Sequence, residues 1–358
     1  MDMRQETEGN VMKLEPIEEI APDVWDEAIA RFDSRHLFHQ SAWLNFLQET
    51  QKGRIVRFRI VNDGKEEGYF AGLIVRKGPF RILGSPLRGW MTDYMGPIVN
   101  RGFDTEKFAD ALDALCRKRH IHHVQICNPF LEQEVMSKKG FTVSEATTYL
   151  VPLSRDEDGM WQQLDRKSCR QSINKAKREG LIVEEVDERD TASFIDEFYS
   201  ELREVFARQG LVPTYDIERV RSFYRNLRRD QILSLQVRHG DHVIATAIFP
   251  HDDRCVYGFG FASRKRFQVL RPNDLLIWTI MTHAARRGIQ LLDLTGKGSF
   301  KPKFGSEKVA VHNYMKSYSL LAKFGREAYR SFFYAKQKIK GGYAHLLSNR
   351  HAPVSEDD

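Results

Sequence analysis

The run IQLLDLTG, residues 289–296, carries Asp293 and Thr295 at its far end and opens into the loop KGSFKPKFGSE. An acid at the carboxyl end of a parallel strand stands where α/β proteins hold ligands. There it could act as a base toward an attacking amine, or orient it. A carboxylate that caps the following turn is the plain alternative. Lys301 and Lys303, in a loop with Gly298 and Gly305, could hold a phosphate or carboxylate, although loop lysines are commonly only solvated.

A second candidate segment is CVYGFGFA, residues 255–262. Strand alternation puts Cys255, Tyr257, Phe259 and Phe261 on one face, with Gly258 and Gly260 on the other. Two glycines inside a strand mark close approach, by a ligand or by a packed neighbour. An N–H of the Gly258–Gly260 stretch is a candidate donor to a developing oxyanion, and Tyr257 a candidate acid for a leaving group, unless it is core. The chain continues as SRKRFQVLRPN into a helix. Backbone N–H groups at that helix start, ringed by Arg264, Lys265, Arg266 and Arg271 with Asn273 as N-cap, make an anion site. A capped helix behind a solvated basic loop has the same sequence pattern. Upstream, a helix bearing Arg166, Lys167, Arg170, Lys175, Lys177 and Arg178 keeps Trp161, Leu164, Ile173 and Ala176 for its inner side; its charged face is either wet or anion-binding.

Such residues need strands and helices to place them, and the elements are legible in two successive sets. The first has helices around Trp25 and Trp43, strands at RIVRFRIV and YFAGLIVR, a Gly/Pro-rich run through GSPLRGWMTDYMGP, a helix at FDTEKFADALDALCRKR, then strands at HHVQICN and FTVSEATTYLVPL. The second opens at residue 154 with a capping box, Ser154 with Glu157, and stops at Gly180. Two helices follow, then a meander of ILSLQVR, VIATAIF and CVYGFGFA, a helix NDLLIWTIMTHAARRG and the strand IQLLDLTG. A strand, a crossover helix and another strand imply a parallel pair. Both sets run helices, antiparallel strands, helix, short strand, so a duplicated α/β domain is expected. The boundaries are a flexible lead-in at 1–20, a first domain at 21–153, a catalytic second domain at 154–325, and a basic amphipathic segment and tail at 326–358.

At 358 residues two domains are the natural expectation. The 41% hydrophobic and 29% charged content fits a globular protein, and the mild net charge of +6 favours anionic partners. No apolar run is long enough to cross a bilayer, and the polar start lacks the pattern of a secretory signal. A cytoplasmic location follows as an expectation. Four unpaired cysteines suggest buried thiols, and His120, His122 and His123 read as a surface group without supporting acids, so no metal site is expected. The basic segment with Phe324, Ala328, Phe332, Ala335 and Ile339 on one side docks on the protein or rests on an anionic inner membrane face.

The series W-x-x-L-D-R-K-S-C-R-Q-S-I-N-K-A-K-R-E-G, VIATAIF, CVYGFGFAS, RPNDLLIWTIMTHAARRGIQLLDLTG and FKPKFGSE, in that order, resembles the FemAB-like branch of the GNAT acyltransferases; FHQSAWLNFL is similar to that family's entry segment. The likeness runs from about residue 20 to 325. It implies two tandem GNAT-like domains of α/β (α+β) class, each a mixed, mostly antiparallel sheet flanked by helices. It also implies transfer of an acyl or aminoacyl group from acyl-CoA or aminoacyl-tRNA, used as a substrate and not as a bound cofactor, onto an amine of a small molecule, cell-envelope or polysaccharide precursor. Lys301 stands where the family's phosphate-contacting lysine is expected, and Arg170 matches the arginine of its R-x-x-I-x-K-A helix. The chain lacks a Gln/Arg-x-x-Gly-x-Gly/Ala run and a long helical hairpin in the second domain, which leaves the donor open between thioester and charged tRNA. Two other readings stand beside this one: a non-catalytic GNAT-like scaffold in polysaccharide or envelope biosynthesis, and a basic nucleic-acid-binding module. The second lacks aromatic interleaving and a recognition helix.

Overall fold

The computed structural model describes residues 11–323. They divide into two compact units: residues up to Thr147 together with Val309–Lys323, and Thr148–Lys308. The sequence placed the division at 153/154. It falls instead inside a strand, and the stretch after Lys308 returns to the first unit. The basic amphipathic segment lies outside the described residues.

The first unit begins with β1 (Lys13–Ile17), α1 (Pro22–Ala30), α2 (Ser41–Gln51), β2 (Arg54–Asn62) and β3 (Lys65–Lys77). It goes on through β4 (Phe80–Ser85), β5 (Gly96–Val99), α3 (Thr105–Lys118), β6 (His123–Cys127) and α4 (Gln133–Lys138). β1, β2, β3 and β4 pair antiparallel in turn, β5 adds to β3, and β4 lies parallel to β6. Part of the expected flexible lead-in is therefore an edge strand, held by Lys13↔Val61 through Ile17↔Arg57. Its exposed, polar sequence gave no apolar alternation to read. The core forms where Phe108, Leu112 and Cys116 of α3 meet Phe58, Phe70, Val124 and Ile126 of the sheet. His123 is buried in β6 with Nδ1 2.8 Å from Ser317 Oγ, which corrects its surface assignment.

β7 (Thr142–Pro152) carries the boundary. The second unit continues with α5 (Glu157–Gln163), α6 (Gln171–Arg178), β8 (Ile182–Glu185), α7 (Thr191–Ala207), α8 (Ile217–Asn226), β9 (Ile232–His239), β10 (His242–Pro250) and β11 (Cys255–Tyr257). Then come β12 (Gly260–Ser263), α9 (Pro272–Arg286), β13 (Leu291–Asp293) and finally β14 (Glu307–Ser317), whose Asn313–Ser317 pair with β6. Strands run β12-β10-β9-β8, all antiparallel, while β11 lies parallel to β13 and β13 antiparallel to β7. α9 buries nearly all of its faces, with Leu275, Leu276, Ile280, Met281 and Ala284 packed on β9, β10 and α6. Pro272 starts it and Gly288, at φ 83°, ends it. Both units thus have the expected mixed, mostly antiparallel sheets flanked by helices.

Two local expectations fail. The helix expected from 154 to 180 is broken at Leu164 and Asp165, which are extended, and resumes as a π-helical turn at Arg166–Arg170 that runs on into α6. Its first part is capped by Asp156, which accepts from Gly159 N, so Ser154 and Glu157 form no capping box. Asp156 lies directly before the helix, and its carboxylate reaches a first-turn donor that Ser154 stands too far back to meet.

Candidate functional site

The strand expected at 255–262 is two strands. β11 and β13 pair through Cys255↔Leu291, Val256↔Leu292 and Tyr257↔Asp293. Gly258 N closes the series on Asp293 O at 2.8 Å. There the two part. β12 pairs with β10 from Ile248↔Gly260 to Ala245↔Ser263, while the chain after Asp293 turns back with Thr295 at φ 48° and Gly296 at φ 59°. A β-branched residue in the left-handed region is a conformational outlier, and such strain gathers at functional sites.

The parting point is densely bonded. Asp293, buried at 1% exposure, accepts on Oδ1 from the Thr148 hydroxyl and from Thr295 N at 2.7 Å. The Thr295 hydroxyl donates to Gly258 O at 2.9 Å. Lys301 is buried, with Nζ donating to Thr295 O and to Gly296 O (2.8 Å) and standing 5.7 Å from the Tyr149 ring centre. Asp293 therefore caps the turn, the plainer of its two readings, and does so at the place where the strands separate. Lys301 clamps two backbone carbonyls instead of facing outward.

The glycines and cations are placed differently from expectation. A Cβ on Gly258 would come within 2.7 Å of the Phe261 ring, and one on Gly260 within 2.6 Å of the Phe198 ring. Both positions are small because aromatic rings pack there, and the Gly258 N–H is occupied by Asp293 O. That amide is therefore taken, and the amides left open lie further along the strand. Arg264 N bonds Ile244 O at 3.0 Å, which makes Ala245–Ser263 and Ala247–Phe261 the non-hydrogen-bonded pairs. The Phe261 and Ser263 amides then point away from β10, on the open edge of an end strand.

Arg264 is paired with Glu197 (2.6 Å) and Glu204 (3.5 Å) of α7. Lys303 is paired with Asp274 at 2.5 Å, a carboxylate in the first turn of α9 where the helix dipole favours it. Arg170 Nη1 donates to Gln162 Oε1 at 2.8 Å. Arg271, at φ 63°, is the N-cap of α9. Asn273 lies inside the helix, because Pro272 already occupies the first position; its Nδ2 donates to Ser263 Oγ at 3.3 Å. Tyr257 is buried beside Cys255 on β11. The segment between β12 and α9 is a 3-10 turn over Lys265–Leu270, without glycine. The structure thus gathers Asp293, Lys301 and Gly258 at one point, sets Arg264 against α7, and places Arg271 and Asn273 at the α9 start.

Thr148, Asp274 and Glu201 were missed in the sequence, and Thr295 was noted at the strand end without a role. Glu201 had a signal: it interrupts the apolar stripe Phe194, Phe198, Leu202 of α7. The partners Thr148 and Asp274 come from distant chain and had none.

Comparison with known proteins agrees with this layout. Residues 165–303 match the model of an acetyltransferase (GNAT) domain. No curated protein matches the sequence. Among solved structures, FemX superposes with a TM-score of 0.64 at 16% identity over 83% of this chain and 96% of its own. L-PGS from Bacillus licheniformis gives 0.52 at 12% identity, covering 85% and 94%. The C-terminal domain of a provisional lysylphosphatidylglycerol synthetase from Agrobacterium fabrum gives 0.51 at 14%, covering 79% and 90%. Among the described residues no helix is long and apolar enough to cross a membrane. Residues 165–303 are thus similar to a GNAT acetyltransferase domain, and the chain as a whole has the fold of FemX.

Proposed function

We propose that the second unit transfers an acyl or aminoacyl group from a thioester or ester donor onto an amine of a cell-envelope or polysaccharide precursor. The observation that carries this reading is the parting of β11 and β13 after Tyr257 and Asp293, beyond which β12 carries outward amides, while Asp293 is a buried carboxyl at the parting point. The name of one neighbour, lysylphosphatidylglycerol synthetase, supports the aminoacyl form of the transfer.

In this reading the amine attacks the donor carbonyl and a C–N bond forms. The charge developing on oxygen meets the Phe261 or Ser263 N–H. Asp293 takes the proton released by the ammonium. The C–S or C–O bond then breaks, and the leaving group takes up a proton. Tyr257, packed beside Cys255, is less suited to that step than sequence alone implied. Alignment of the two substrates would supply much of the rate. Arg170 and Arg271 are assigned to the anionic part of the donor.

The internal pairing of Arg264, Lys301 and Lys303 favours a second reading, a GNAT-like scaffold without turnover. Thermal unfolding with acetyl-CoA and with aminoacyl-tRNA separates the two. A donor at a hundredfold its Kd stabilises the folded chain by about 2.7 kcal/mol. Stabilisation by either class supports the transferase, and stabilisation by neither overturns it in favour of the scaffold.

A further inference from the structure

α7 carries Glu197, Glu201 and Glu204 on one side of the helix. The outer two hold Arg264, the first residue after β12, and Ser200 Oγ accepts a further bond from it at 3.2 Å. Glu204 Oε1 also accepts the Lys265 N–H at 2.7 Å. Arg208, one turn on, donates to Ser263 O at 3.2 Å. The end of β12 and the start of the loop to α9 are thus tied to α7. Glu197, Glu204 and Arg264 line an open cavity of about 910 Å³.

Glu201 lies behind them at 0% exposure. Its Oε2 accepts from the Thr246 hydroxyl of β10, and its Oε1 has no hydrogen-bond partner among the described residues. Thr246 is in turn the ladder partner of Ala262 in β12. The charged groups that face Glu201 are Glu197 and Glu204 from its own helix and Arg264 from the loop. β12 contributes none; β10 contributes the Thr246 hydroxyl and, at its start, His242, which lines the cavity with Glu197, Glu204 and Arg264; on α8 Arg221 is taken by Glu218 (2.6 Å) and Asp196 (3.0 Å).

We propose that Glu201 is a positioning residue for the β12–α9 loop: held as a neutral acid it leaves Arg264 to Glu197 and Glu204, and once ionised it competes for that arginine and loosens the loop. The importance of this loop for a donor rests on the acyl-transfer reading; the proposal itself does not need a donor to be tested.

Burial, reinforced by Glu197 and Glu204, pushes the Glu201 carboxyl up to about 8, against the opposing pull of Thr246 and Arg264. In the unfolded chain a glutamate ionises at about 4.3. Between these two values the unfolded chain has lost a proton that the folded chain keeps, so wild-type stability falls as pH rises through this window and levels off above it. Glu201→Gln cannot ionise and lacks that slope.

The test is thermal unfolding of the full chain from pH 5 to 9 for wild type, Glu201→Gln and Thr246→Val. It is paired with hydrogen exchange of residues 260–271, corrected for intrinsic rate. The expected result is a Tm gap between Glu201→Gln and wild type that widens by several degrees up to pH 8 and then stays constant. Thr246→Val, which removes the donor to the ionised form, carries the end of this fall to higher pH. Above pH 8 residues 260–271 exchange faster in wild type than in Glu201→Gln. A gap independent of pH overturns the proposal, as does equal exchange in the two proteins. If Glu201→Gln does not fold, an unshifted Thr246→Val profile overturns it instead. Donor binding that persists after either failure leaves the acyl-transfer reading standing, and absence of donor binding leaves this proposal standing.

Discussion

Each unit contains a parallel strand pair joined by a crossover helix, and the two pairs end differently. In the first unit β4 and β6 pair from Ile82↔His123 to Ser85↔Ile126, and the end is then closed by backbone. Asn128, fully buried, donates to Met95 O at 2.7 Å and to Pro97 O at 3.1 Å and accepts from Phe130 N at 2.8 Å. In the second unit the pairing stops at Tyr257↔Asp293 and β12 leaves for β10. The helices differ as well. α3 starts on Asp104, whose carboxylate accepts from Lys107 N at 2.9 Å, whereas α9 starts on a left-handed Arg271 with no side-chain cap bond. An amide that ties three backbone groups makes a wall. A carboxyl at the corresponding end, where β12 has turned away, is left without such a wall and is the place to which the proposed transfer is assigned.

The largest test of this contrast is Asp293→Asn, which can keep both hydrogen bonds to its Oδ1 but cannot take a proton. Turnover with whichever donor stabilises the chain is expected to fall by about 10²–10⁴ while the unfolding midpoint changes little; full turnover in the variant removes Asp293 from the proton path. Asn128→Ala should do the reverse, lowering stability in urea by about 3 kcal/mol through unpaired buried groups, without altering donor affinity. Gly260→Ala presses a methyl onto the Phe198 ring and should cost about 1–3 kcal/mol. An unchanged urea midpoint would mean that the packing of α7 on β12 yields easily. Smallest is the helix-start pair: Asp104→Ala should cost about 1 kcal/mol and Arg271→Ala less than about 0.5 kcal/mol. Equal losses would erase the difference between the two starts.

Much of the fold was readable because its signals are local. Alternation in RIVRFRIV, ILSLQVR and VIATAIF gave β2, β9 and β10, and the apolar run after Pro272 gave α9. What escaped depends on partners. β1 is polar and exists because β2 pairs with it. β5 is four residues inside a Gly/Pro-rich stretch, held by β3. The break between β11 and β12 is invisible in CVYGFGFA, since it arises from competition between β13 and β10. Of the candidate residues, Asp293 was read from its position at a strand end, and the structure places it, buried, where β11 and β13 part. Arg264 and Lys303 face carboxylates that lie far away in sequence, Glu197, Glu204 and Asp274, which no local pattern shows; Lys301 turns to backbone carbonyls only five and six residues away.

Cys116 and Cys127 belong to the first unit and Cys169 and Cys255 to the second, and all four are buried. Burial pushes Cys116, Cys127 and Cys169 up to about 12 and holds Cys255 well above its ordinary value. In the native fold these sulfurs are expected to resist alkylating reagents near neutral pH, since only the thiolate reacts. Each unit therefore contains two natural probes of its own opening. Timed alkylation followed by peptide mapping would reveal whether the halves unfold together or one before the other, with no engineered label.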